Sequence, residues 1–149
     1  MKKILIAGLI SGLFSAGAFA AACTGTGGAQ TAGATTGGTA NTEQCICNGG
    51  LALKSTVNGG KGTPAASTPI FVLTGFDVQC SANTLVSYNE VAPTAFAVAS
   101  GSVKGNQTFI GSSAGGGIAV SAQCTGTGKA CTPGDVTTAN GVATTASSS

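Results

Sequence analysis

Large apolar side chains occupy only part of this chain, and their confinement decides where a core can form. Residues 23–44 contain no Val, Ile, Leu, Met or Phe, and residues 125–149 carry only Val136 and Val142. Apart from an apolar N-terminal leader, nearly all the large apolar residues lie within 45–124. Segments so poor in apolar surface cannot bury enough of it to offset their ordering entropy. The flanks are therefore expected to be mobile or to be pinned by cysteines. Four regions follow: a leader at 1–20, a Gly/Thr-rich segment at 21–44, a core at 45–124, and a Thr/Ser/Gly-rich segment at 125–149.

The leader has the three parts of a Sec-type signal peptide. Lys2 and Lys3 give the positive start, Ile4 to Phe14 the apolar run, and Ala18-Phe19-Ala20 the small-residue cleavage pattern. The apolar run is too short to span a bilayer as a permanent helix. Cleavage after Ala20 is expected, leaving no membrane span. A lipid anchor on Cys23 is the alternative, although Ala20 to Ala22 lack the Leu-like residue that usually precedes such a cysteine. The destination is extracellular or the cell surface, with the periplasm as the alternative.

Six cysteines lie beyond the leader: Cys23, Cys45, Cys47, Cys80, Cys124 and Cys131. An even count in an exported chain reads as three disulfides formed in an oxidising compartment. Their spacing leaves the connectivity open. Cys124 and Cys131 are near enough to close a small loop. Cys45 and Cys47, two apart, would face one side of a regular strand and so take separate partners. A core of roughly 80 residues buries only about 60% of its unfolded surface, so such staples would matter to its stability.

Within 45–124 the pattern is that of strands and turns. Leu51, Leu53 and Val57 alternate with Ala52, Lys54 and Thr56, and Asn58-Gly59-Gly60 is a hairpin signal. Ile70-Phe71-Val72-Leu73 reads as a strand covered on both faces. Phe76, Val78 and Cys80 share a face, and Leu85 to Val91 is β-prone. Ile118, Val120, Ala122 and Cys124 make a clean alternating last strand after Gly115-Gly116-Gly117. Turn signals recur at the spacing of a sandwich or barrel, and no window beyond the leader shows a sustained helical stripe. The fold class is all-β, a small disulfide-stapled sandwich or barrel-like domain. The motif Cys-Thr-Gly-Thr-Gly occurs at 23–27 and again at 124–128, bracketing the core.

Most chemistry lacks its residues. Gly111-Ser112-Ser113-Ala114-Gly115 matches the nucleophile-elbow pattern, but the chain has no histidine to take the serine proton. Asp77 and Glu90 are the only acids of the core proper, and Asp77, between Phe76 and Val78, is expected to face solvent. Cys45-x-Cys47 has the wrong spacing for zinc, and Asp135 suits a turn better than calcium. No catalytic, cofactor-binding or metal-binding residue is assigned, and the chain is not expected to be an enzyme.

Once the leader is removed, four lysines balance four acids. A neutral surface has no electrostatic footprint for nucleic acid and little of the self-repulsion that keeps chains apart. The low-charge run Ile70, Phe71, Val72, Leu73 and Phe76 is the expected association strand. In size, export and composition the chain is generically similar to bacterial fimbrial or filament subunits. It departs from donor-strand pilins, whose inserting segment carries alternating large apolar residues that 23–44 lacks. The expected role is a self-associating structural subunit of a surface filament or extracellular matrix, with copies of itself or other surface proteins as partners. The alternative is a monomeric binding module for sugar or protein, which the scarcity of aromatics (one Tyr, no Trp) disfavours.

Overall fold

A computed structural model describes residues 35–36, 41–50, 52–57, 59 and 71–148. The leader and its cleavage site, Cys23, Pro64, Pro69 and Ile70 lie outside the described residues.

The molecule is built on two sheets and one helix. Strands β1 (Thr35–Thr36), β3 (Leu53–Val57) and β4 (Phe76–Cys80) form the smaller sheet in the order β1-β3-β4, with β1 parallel to β3. Strands β2 (Glu43–Asn48), β5 (Thr84–Ala92), β6 (Ala95–Ser102), β7 (Gln107–Ser112) and β8 (Ala119–Gln123) form an antiparallel sheet in the order β2-β5-β6-β7-β8. The all-β, sandwich-like expectation holds, with helix α1 (Pro133–Ser147) added on one face.

Local chemistry explains the connections. Pro93-Thr94 makes the turn between β5 and β6, where proline's missing N–H costs no ladder bond. The β7–β8 connection passes through Gly115 (φ 126°) and Gly116 (φ 86°), a backbone region that favours glycine. In β3 the alternation is as expected: Leu53, Ser55 and Val57 are buried and Lys54 is exposed.

Sheet β2-β5-β6-β7-β8 has a different layer on each face. On one side Ile46, Leu53, Val57, Val72, Tyr88 and the Cys47–Cys80 disulfide form a core with the smaller sheet. This disulfide joins β2 to β4, Cα atoms 5.6 Å apart, and so ties the two sheets together. On the other side Leu85, Ala99, Cys124, Cys131, Val136 and Ala139 form a second core beneath α1. Cys124 and Cys131 are bonded as the short spacing suggests, Cα atoms 4.7 Å apart. Cys45 is also disulfide-bonded, and no described cysteine is free.

Helix α1 corrects the expectation that 125–149 lacks a helix. Thr132 caps it: its Oγ1 accepts from Asp135 N, and Asp135 Oδ2 accepts from Thr132 N at 2.8 Å, a reciprocal capping box with Pro133 next in line. The buried positions are Val136, Ala139, Asn140, Ala143 and Ser147, one helical stripe in spacing. Only Val136 among them is a large apolar residue, so hydropathy does not reveal the stripe. The sheet answers with equally small residues. Ala95, Ala97 and Ala99 are buried beneath the helix, and a Cβ at Gly101 would come within 3.3 Å of Cys131 and Val136. Small surfaces let helix and sheet approach closely, and polar pairs complete the contact: Asn140 Nδ2 to Ser87 Oγ (3.1 Å), Asn89 Nδ2 to Thr144 Oγ1 (3.2 Å) and Ser112 with Ser147 (2.7 Å).

Two further expectations are corrected. Residues 71–75 are irregular rather than a strand. Of the expected turn Asn58-Gly59-Gly60 only Gly59 is among the described residues, and the described partner of β3 is β4. A bulge at Ile46 places Cys45 opposite Ser87 and Cys47 opposite Val86, neighbours that point to opposite faces. The two cysteines take separate partners, but they do not share a side.

Candidate association surface

Strand β6 separates the two faces of the larger sheet. Its alanines point to the helix, while Phe96 and Val98 point towards the smaller sheet. Register carries the second face outward across the sheet. Val98 pairs with Gly111, Ser100 with Phe109, and Phe109 with Val120 of β8.

The smaller sheet covers this face only in part. Among the described residues the core it encloses takes in β2, β5, Phe96 and Val98, and no residue of β7 or β8. An aromatic stack marks the limit of the cover. Phe71 and Tyr88 each stack on Phe96 with ring centroids 5.3 Å apart. Beyond the stack lies an open groove of about 310 Å³, lined by Phe96, Val98, Ser100, Phe109, Gly111 and Ile118. Its apolar walls stand in solvent, with Phe109 40% exposed and Ile118 83%, and Val120, paired with Phe109, is 53% exposed beside it. Here the expected alternation of the last strand is broken by a register shift against β7. Ile118 and Val120 stand on the open face, whereas the register shift sets Ala122 opposite Thr108, on the side of α1 with Cys124. Strand β8 is also the outer strand of its sheet and carries no charged residue or proline to blunt that edge.

The expected association residues divide between core and surface. Val72 is buried, Phe71 belongs to the aromatic stack, and Ile70 lies outside the described residues. Leu73 (72% exposed) and Phe76 (47%) alone present apolar surface. The device that sorts them is Glu90, which is fully buried. Its Oε2 accepts hydrogen bonds from Phe71 N (2.6 Å) and Val72 N (3.2 Å), fixing this stretch so that Val72 turns inward. The other oxygen, Oε1, has no partner among the described residues. Sequence alone marked Glu90 only as one of the two acids of the core.

The remaining candidate groups have structural partners. Asp77 faces solvent as expected, 2.7 Å from Lys54 Nζ and accepting from Thr56 Oγ1 at 2.8 Å. The Lys54 bond, then that of Thr56, holds its carboxyl below the usual range. Asp77 lies in the smaller sheet and Glu90 in the larger, each engaged by its own set of neighbours. Asp135 joins the β8 exit to the start of α1. Burial pushes its carboxyl up, but bonds from Thr125 and Thr132 outweigh that and leave it below the usual range. Ser112 and Ser113 of the elbow-like motif sit at the β7–β8 turn, where Ser113 Oγ accepts from Phe96 N at 2.8 Å. Among the described residues, no group of three or more His, Cys, Asp or Glu side chains is placed to hold a metal ion. No helix of the described residues is long and apolar enough to cross a membrane.

No family model, curated protein or solved structure matches the chain.

Proposed function

We propose that this chain is an exported structural subunit that associates with copies of itself at the cell surface, in a filament or an extracellular matrix. The observation that carries the reading is the half-covered face of the larger sheet. Exposed apolar patches on a monomer are normally small, and larger ones mark interaction sites. This one combines an apolar groove with an uncharged outer strand, on a chain whose charges balance after removal of the leader. Disulfides support export, since such bonds persist in oxidising compartments. The exported, oxidised protein purified without its leader should sediment as multimers and show ordered assemblies by electron microscopy. A strictly monomeric protein at about 1 mM, where even weak specific contacts are populated, would refute the proposal.

A further inference from the structure

The groove and the exposed Leu73–Phe76 segment belong to one chain, and their chemistry matches. We propose that the groove of one copy receives Leu73 and Phe76 of a second copy. This names the contact within the self-association proposed above and rests on that reading.

Four observations support it. First, the groove has no charged side chain in its lining, and β8 beside it has none. An occupant must therefore bring apolar surface without an unpaired charge, because burying a lone charge is costly. Second, Leu73 and Phe76 meet that requirement. The one acid next to them, Asp77, is already neutralised by Lys54 at 2.7 Å. Third, the segment is held before any partner arrives. Glu90 fixes the two amides immediately preceding Leu73, and β4 pairs in unbroken register with β3 from Phe76 onward. A segment presented in place loses little side-chain and loop entropy on docking. Fourth, a groove of about 310 Å³ has room for one or two large side chains. An apolar projection and a groove on the same molecule form a self-complementary pair of surfaces, and when the two do not close on each other the assembly propagates.

Complementation tests the contact. Leu73→Glu and Ile118→Glu alter residues that are mostly exposed, so each variant should keep its native urea midpoint and disulfides. Sedimentation velocity on the oxidised, leaderless protein is the readout. Each variant alone should associate at least about thirtyfold more weakly than the native chain, the effect typical of disrupting a residue at the centre of an interface. Mixed in equal amounts, they should recover association as a one-to-one pair, because the first retains an intact groove and the second an intact projection. If the native chain assembles while both variants still assemble as it does, the contact is wrong and the structural-subunit reading survives. A mixture that stays monomeric also overturns the contact, as does a small apolar molecule found retained in the groove by native mass spectrometry. A native chain that is itself monomeric refutes both proposals.

Discussion

Replacing Cys47 and Cys80 together by alanine removes the covalent tie between the sheets, and the cost follows from the loop that the bond closes. The two residues are 33 apart, and the chain-entropy relation gives about 3.7 kcal/mol at 25 °C for that loop. The same relation gives about 2.4 kcal/mol for Cys124–Cys131, which are 7 apart. Cys47 and Cys80 are also buried in the core between the sheets, so removing their sulfurs adds a packing cost that widens the gap. In a domain of this size about 4 °C of melting temperature accompanies each kcal/mol, so the first double variant should melt about 15 °C lower. Urea titration and calorimetry of the two double variants, with the other disulfides oxidised, give the comparison. Hydrogen exchange should then show β3 and β4 opening before β5–β7. A short-loop variant that proves the less stable of the two would refute this ordering. So would a cost below about 1 kcal/mol for Cys47→Ala with Cys80→Ala, a small fraction of the 3.7 kcal/mol expected.

Other expectations concern single side chains. Glu90→Ala leaves the buried amide of Val72 and the half-buried amide of Phe71 without their acceptor and should cost about 2–4 kcal/mol, with faster exchange at both amides. Unchanged exchange at Phe71 and Val72 would show that Glu90 does not fix this segment. Because its folded pKa is depressed, Asp135 contributes stability above the ordinary carboxylate range near pH 4, and that contribution disappears as pH falls through the lowered value. Asp135→Asn should therefore lower the urea midpoint at pH 7 and flatten its fall on acidification; an acid limb identical to the native one would contradict this. Ala97→Leu inserts bulk where α1 lies against the sheet and should cost about 1–3 kcal/mol, with exchange rising in α1; a neutral result would show that the helix is loosely seated. Disulfide mapping should pair Cys47 with Cys80 and Cys124 with Cys131, leaving Cys23 as the one remaining cysteine for Cys45.

The strands were legible in the sequence because period-2 patterning survives wherever one face is buried, as Leu53, Ser55 and Val57 illustrate. Helix α1 was not, because its buried stripe is built from Ala, Asn and Ser, whose hydropathy hardly differs from that of its exposed Thr and Gly. Its signal was the capping box at Thr132 to Asp135 with Pro133, a pattern independent of hydropathy. The bulge at Ile46 was hidden too, since two-for-one pairing depends on the partner strand. The proposed association surface was half visible. Low charge and exposed apolar residues point to contact between copies, and Leu73 and Phe76 were among the expected residues. Alternation at Ile118 and Val120 could not reveal that the smaller sheet stops short of β7 and β8, because cover is a tertiary property. Nor does the sequence around Glu90 mark it as the anchor of residues 71 and 72.

Hydrogen exchange of the oxidised, leaderless protein, compared between dilute and concentrated solution, bears most directly on what covers the open sheet. Peptides containing Phe109, Ile118 to Val120, and Leu73 to Phe76 should gain protection together as concentration rises, while those of α1 stay unchanged. Protection that appears on α1 instead, or nowhere at all, would mean that this face does not join one copy to another.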